Sequence, residues 1–175
     1  TRLYLSGFGE PLLDPALVEK ITYAKRRGLW VGLVTNGSLL NEKLTLEIVR
    51  TGLDELNISI DGFSPLVYNQ IRQGLDFSQV SANIKRLLTL RRGMSPRINL
   101  EIVVFEKNIL DVKRGYQYWR HTVDHVILRT PQTWLGTVKF SNLTRNSPPR
   151  QKNRPPCHYI FTELTIYHDG TVPLC

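Results

Sequence analysis

Apolar and polar positions along this chain switch between two periods, two residues for strands and 3.6 for helices, and the switches follow a regular order. Leu3 to Ser6 reads as a strand, and Pro15 to Arg27 as a helix with Leu17, Val18, Ile21 and Ala24 on one face, stopped by Gly28. Trp30 to Thr35 predicts the next strand. Asn41 is expected to cap a helix that uses Leu44, Ile48 and Val49 and ends at Gly52, and Glu55 to Ile60 predicts a third strand. After a longer insertion, Ser78 is expected to start a helix with Val80, Ile84, Leu87 and Leu88 on one face, closing at Gly93. Ile98 to Phe105 predicts a fourth strand, Ile109 to Arg120 a helix with Val112, Tyr116 and Trp119 at helical spacing, and Val123 to Leu128 a fifth strand. Strand and helix in alternation give an α/β fold with a parallel sheet, and right-handed crossovers would wrap the units into an open or closed barrel.

From Thr130 the character changes. Pro131, Pro148, Pro149, Pro155 and Pro156, with several Ser and Asn, mark a linker. Phe161 to Tyr167 then alternates as a strand, and His168 to Gly170 is a turn signal before Thr171 to Leu174. The expected organisation is a barrel domain over 1–130, a linker over 131–156, and the start of a second, truncated module over 157–175.

Composition narrows the class. A chain of 175 residues that is 41% hydrophobic can build one domain with a real core, and no apolar run approaches the roughly 20 residues a membrane span needs. The chain opens inside a strand, with no basic leader or cleavage site, and stops on a cysteine in what reads as a hairpin or cluster-binding loop, so it reads as a fragment of a cytoplasmic protein. The net charge of +8 gathers at Lys25 to Gly28, Arg91 to Arg97 and Arg145 to Arg154. Two of these runs sit at helix ends, where the helix dipole favours cations, and no aromatic-interleaved nucleic-acid motif accompanies them. The two cysteines, Cys157 and Cys175, lack a secretory context, which favours a metal or iron–sulfur role over a disulfide; two ligands do not complete such a site.

The densest candidate chemistry lies in LYLSGFGEPLLDP, Leu3 to Pro15. Gly7 and Gly9 allow close backbone approach to a ligand, Glu10 brings a carboxylate into the same turn, and Pro11 stiffens its exit. Asp14 and Pro15 are expected as N-cap and first helical residue, which puts the turn at the carboxyl end of a βα unit, where α/β folds bind ligands. In the strand ELNISID, Glu55 to Asp61, alternation puts Leu56, Ile58 and Ile60 toward covering helices and Asn57, Ser59 and Asp61 on the other face. Three polar groups facing a barrel interior need partners, which a polar ligand across the strand ends would supply. Asn99 and Glu101 share a face with Val103 and add polar groups to the same side. Asn36 and Gly37, in VTNGSLL, are explained almost as well by a turn alone.

Four strings, in order, resemble motifs of radical S-adenosylmethionine (radical SAM) enzymes. SGFGEPLL is similar to the GGEP-type turn that binds the amino group of the cofactor's methionine, which implies cofactor-binding roles for Gly7, Gly9 and Glu10. TNG at Thr35 to Gly37 looks like the end of the next strand and brings in Asn36. SIDG is similar to the strand motif whose polar side chains contact ribose and methionine, with Ser59 and Asp61 in the matching positions. Arg72 matches an Arg that contacts the cofactor carboxylate, although it lies one residue further on than in the best-known peptide-modifying members. An Arg suits that task because its fork binds a carboxylate bidentately. Leu128 matches the region that meets adenine. Finally, Cys157 to Cys175, ending in DGTVPLC, resembles the opening of a SPASM or twitch auxiliary-cluster domain and implies that both cysteines ligate an auxiliary iron–sulfur cluster; without the preceding motifs a disulfide or zinc site would compete.

The resemblance implies a partial (β/α)6 barrel with about five of its strands present, followed by the truncated start of a SPASM domain. It also implies reductive cleavage of S-adenosylmethionine to methionine and a 5′-deoxyadenosyl radical, which abstracts hydrogen from a peptide, a protein or a small metabolite such as a sugar. Ferredoxin or flavodoxin would be the electron donor. The CxxxCxxC that holds the catalytic 4Fe-4S cluster in this family is not in the sequence, so the resemblance puts those ligands upstream of Thr1 and implies that the piece alone is inactive. Two other readings stay open on the residues themselves: a phosphate-binding barrel enzyme, which Glu10 disfavours by repelling phosphate, and a non-catalytic interaction domain.

Overall fold

Five strands, β1 (Arg2–Leu5), β2 (Trp30–Thr35), β3 (Glu55–Ser59), β4 (Arg97–Val103) and β5 (His125–Arg129), form one wholly parallel sheet in the order β1-β2-β3-β4-β5. The computed structural model describes residues 1–7, 9–91, 95–131 and 158–173. Between the strands run α1 (Leu17–Arg26), α2 (Glu42–Arg50), α3 (Pro65–Ile71), α4 (Phe77–Leu90) and α5 (Ile109–Trp119). The strand order equals the chain order, as expected when every crossover turns the same way.

The register explains which face is which. Leu3 pairs with Val31, Leu33 with Leu56, Leu56 with Ile98, Ile58 with Leu100, and Leu100 with Val126. These rows join Leu17 and Ile21 of α1, Ile48 of α2, Val80, Ile84 and Leu87 of α4, and Val112 of α5 in one apolar core. The opposite rows carry Tyr4, Gly32 and Glu55, then Val34, Asn57, Asn99 and His125, then Ser59, Glu101 and Ile127. Leu56, Ile58 and Ile60 thus face helices, and Asn57 and Ser59 face away, in agreement with the alternation read from sequence.

Local chemistry shifts several boundaries. Asn41 caps α2 as expected, accepting the Leu44 N–H at 2.9 Å. Asp14 and Pro15, however, do not open α1, which begins at Leu17. Asp14 accepts the N–H of Ala16, two residues on, and pairs with Lys20 at 2.5 Å, so its side chain closes a local turn ahead of the helix. The α4 helix starts at Phe77 because Asp76 accepts from both Ser78 and Gln79 N–H, and it ends at Leu90 with Arg91 as its C-cap, short of the expected Gly93, which itself lies outside the described residues. The insertion contains a helix the periodicity did not reveal, α3, with Ser64 and Pro65 at its start. Gly62 must be glycine here: a Cβ would sit 2.8 Å from the Tyr68 nitrogen.

An acid clasp is repeated at the amino edge of the sheet. Asp54 accepts the Val31 N–H (2.7 Å) and Lys25 (2.5 Å), and Asp124 accepts the Ile98 N–H (2.7 Å) and Arg91. Each stitches the start of one strand to the start of the next. Burial works against ionisation of Asp124, but the Ile98 N–H and the Arg91 guanidinium outweigh it and hold its carboxyl below the usual carboxylate range. A lowered folded value means the clasp contributes fully above the unfolded pKa, about 3.9, and fades as pH falls through the folded value. Asp124→Asn should therefore lower the melting temperature at pH 7, and the gap to the native protein should narrow in melts at progressively more acidic pH. A gap independent of pH would contradict the clasp.

The chain divides into two units, Thr1–Lys139 and Phe140–Cys175. In the second, Tyr159–Thr162 forms a single helical turn, α6, closed by Phe161 N–H to His158 C=O and Glu163 N–H to Tyr159 C=O. The strand expected over Phe161 to Tyr167 is not formed; no ladder partner faces it among the described residues, and alternation alone does not make a strand. The turn at His168 to Gly170 is present, with the Gly170 N–H bonded to Tyr167, a Tyr167–Thr171 backbone bond and Gly170 at φ +84°. Cys157, Cys175, Leu174 and the linker residues 132–156 lie outside the described residues. Among the described residues no helix is long and apolar enough to cross a membrane.

Candidate functional site at the carboxyl edge of the sheet

The turn after β1, the ends of β2, β3 and β4 and the start of α3 all lie at the carboxyl edge of the sheet. Gly9 sits at φ +113°, a conformation that an L side chain adopts only with strain, and among the described residues no atom beyond the chain neighbours lies within 4 Å of where a Cβ on Gly7 or Gly9 would be. Open space beside bare backbone is what a ligand-cradling turn requires. Glu10 follows in extended conformation and caps a short 3-10 turn, Pro11–Leu13, by accepting the Leu12 N–H at 3.1 Å.

Sequence reasoning placed Glu10 in its own turn, whereas the structure ties it to the next strand. Its Oε1 accepts the Thr35 hydroxyl at 2.5 Å and its Oε2 the Asn36 N–H at 2.8 Å. Three donors fix this carboxylate, yet none is a cation, and no salt bridge engages it among the described residues. Thr35, which is buried, joins this cluster and was passed over in the sequence; the Thr of TNG was the signal. Asn36 uses its backbone for Glu10 and its side chain for the Ser38 N–H.

Two strands away, Ser59 ends β3 in register with Glu101, on the face turned from the helices, and is half-exposed. Below it the polar row is knitted together: Asn99 donates to Asn57 (2.8 Å), Asn57 to Glu55 (3.2 Å), and Arg129 to Glu101 (3.0 Å). The Asn99 Oδ1 is buried without a partner among the described residues.

Asp61 and Arg72, to which the resemblance gives separate ligand contacts, meet each other. Both Nε and Nη2 of Arg72 lie 2.8 Å from Asp61 Oδ2, and Asp61 Oδ1 accepts the Val103 N–H at 2.7 Å. Asp61 is only 5% exposed, so its carboxylate is spent within the protein. Leu128 also differs from expectation. It pairs with Ile102 on the helix-facing row, which leaves Ile127 and Arg129 on the face shared by Ser59 and Glu101. The resemblance placed Leu128 by region and not by face, and its backbone lies next to the end of β5. The metal ligands expected at Cys157 and Cys175 lie outside the described residues.

Comparison with known proteins fits this geometry. The model of the radical SAM superfamily matches residues 1–111. The tungsten-containing aldehyde ferredoxin oxidoreductase cofactor-modifying protein of Pyrococcus furiosus is 32% identical over 110 residues, covering 61% of this chain and 31% of that protein. The AdoMet-dependent heme synthase of Methanosarcina barkeri is 31% identical over 117 residues, 66% of this chain and 32% of its own. The matched segment thus spans about a third of such relatives. Among solved structures, Streptococcus suis SuiB bound to precursor peptide SuiA superposes with a TM-score of 0.67 at 11% identity, over 79% of this chain and 30% of SuiB. The anSMEcpe protein with bound AdoMet and a peptide gives 0.58 at 21%, over 73% and 37%. Five parallel strands in series, an open glycine turn with a tethered carboxylate and a family match over most of the sheet agree: this chain belongs to the radical SAM superfamily, with the partial barrel fold of that family.

Proposed function

We propose that this chain is the cofactor-binding part of a radical SAM enzyme of the SPASM type, acting on a peptide or protein, or on a small metabolite such as a sugar. The observation that carries the reading is Glu10, a carboxylate fixed by Leu12, Thr35 and Asn36, uncompensated by any cation among the described residues, beside open backbone at Gly7 and Gly9. That donor set suits an ammonium: the spare lone pairs and the net charge accept its N–H groups, and the missing Cβ atoms let it approach.

In this reading Gly9 and Glu10 bind the amino group of S-adenosylmethionine, Ser59 lies along its ribose and methionine, and Arg72 takes the carboxylate. Asn36 holds Glu10 in place through its N–H. The end of β5 near Leu128 borders the adenine through backbone. When bound, S-adenosylmethionine and a 4Fe-4S cluster supply a 5′-deoxyadenosyl radical by reductive cleavage, with ferredoxin or flavodoxin as electron source. The protein's share is orientation: fixed partners at both ends of the methionine hold the cofactor in one pose. A domain boundary near 130, a linker to 156, an auxiliary cluster on Cys157 and Cys175 and a cytoplasmic location complete the proposal. Peptide substrates are supported by the peptide-bound fold neighbours, SuiB and anSMEcpe.

The test is chemical. The whole enzyme, reconstituted anaerobically with iron and sulfide and reduced with dithionite, should convert S-adenosylmethionine to 5′-deoxyadenosine, read by chromatography. No 5′-deoxyadenosine from a preparation with its cluster loaded would overturn the reading.

A further inference from the structure

Asn108 precedes α5 and is fully buried, yet its side chain does not cap that helix. An Asn at a helix start ordinarily accepts an N–H from the first turn. Here its Oδ1 accepts the Phe105 N–H at 2.7 Å, and its Nδ2 reaches back to two carbonyls, Asp61 O and Val103 O, each at 2.8 Å. The β3–β4 register ends at Ser59 and Glu101, so beyond it these two carbonyls find their partner in a side chain rather than in a neighbouring strand. One amide therefore fastens the ends of two strands together just where Asp61 leaves the sheet.

Asp61 extends the same fastening with its side chain, since its Oδ1 takes the Val103 N–H in place of a ladder bond. Its Oδ2 is then left facing Arg72, the residue that follows α3, and holds Nε and Nη2 together. Neighbouring packing keeps the connecting loop still. Asp111 of α5 accepts both the Phe63 and Ser64 N–H, at 2.5 and 3.2 Å, and Phe63 lies so close to Gly115 that a Cβ there would fall 2.2 Å from it. With its Nε edge occupied, Arg72 has Nη1 without a partner among the described residues, so the guanidinium presents one free edge at a set angle.

We propose that Asn108 and Asp61 are positioning residues, a relay from the β3–β4 junction that fixes the orientation of Arg72 at the carboxyl edge. This replaces direct contact of Asp61 with the cofactor, and it rests on the reading of Arg72 as partner of the cofactor's carboxylate. Asn108 acts through two carbonyl acceptors, so charge and shape at that position have separate consequences. Asn108→Asp sets a carboxylate against both carbonyls and should be worse than Asn108→Ala.

The experiment measures equilibrium binding of two probes to the cluster-loaded whole enzyme: S-adenosylmethionine and its decarboxylated analogue, which lacks the group Arg72 is proposed to hold. Arg72→Ala, Asp61→Asn and Asn108→Ala should each weaken S-adenosylmethionine by about tenfold or more, the size of one charged hydrogen bond, and leave the analogue within about twofold. Adding Asp61→Asn to Arg72→Ala should cost nothing further, because the two act as a unit. If Arg72→Ala weakens both probes alike, the carboxylate reading of Arg72 fails. If Arg72→Ala discriminates between them but Asp61→Asn and Asn108→Ala do not, the relay is overturned. Should Asn108→Ala melt below the assay temperature, Asp61→Asn decides alone, since it keeps the side-chain shape and the acceptor for the Val103 N–H.

Discussion

Replacing Glu10 with Ala should weaken S-adenosylmethionine binding to the whole enzyme by about tenfold to a hundredfold, the range of a lost charge-assisted hydrogen bond of roughly 1.5–3 kcal/mol. Part of any loss of activity would come from the fold, because Glu10 is also the partner of the buried Thr35 hydroxyl and of the Asn36 N–H. Orphaning the hydroxyl costs about 1–3 kcal/mol of stability. Glu10→Gln separates the two effects. It keeps an acceptor for Leu12 and Thr35, removes the charge and sets its NH2 against the Asn36 N–H, so it should melt between Glu10→Ala and the native protein while still losing most of the affinity. Calorimetric titration and thermal melts of both variants check this, and a Gln variant with native affinity would show that Glu10 is only a tether between β1 and β2.

The second large effect concerns iron. In the whole enzyme a Cys157→Ala, Cys175→Ala double variant should lose about four irons, one 4Fe-4S equivalent with its four ligands. Two thiolates supply half of such a site, and the sequence given holds these two cysteines and no others. Iron counting after anaerobic reconstitution measures it. Unchanged iron would withdraw the SPASM assignment and leave the barrel reading intact, since nothing at Glu10, Ser59 or Arg72 depends on those cysteines.

The strands and the long helices were legible in sequence because burial on one face imposes a period that survives in the residue order. Leu56, Ile58 and Ile60 against Asn57, Ser59 and Asp61 is the clearest case, and the register confirms the sides of Leu56, Ile58, Asn57 and Ser59. Short elements were less so: α3 has seven residues, too few for a periodic stripe to stand out, and α6 is one turn. The start of α1 was misread because Asp14 satisfies the turn before the helix as well as it would have capped the helix itself. At the site, residue types were readable but partners were not. Nothing in the spacing of Glu10 and Thr35, 25 residues apart, announces a hydrogen bond, nor does that of Asp61 and Val103, 42 apart. Only the sheet register brings them together. Leu128 fails for a related reason, since a match by region fixes the strand end and not the face, and a slip of one residue reverses the side chain.

Whether the carboxyl edge from Gly9 to Arg72 is one cofactor site is decided by a structure of the whole enzyme with S-adenosylmethionine bound. The methionine amino group is expected about 3 Å from the Glu10 carboxylate, its carboxylate against the free edge of Arg72, and Ser59 beside the ribose, with Asp61 still joined to Arg72. A cofactor bound away from Glu10, or an amino group facing Asp61 with the Asp61–Arg72 pair broken, would contradict it.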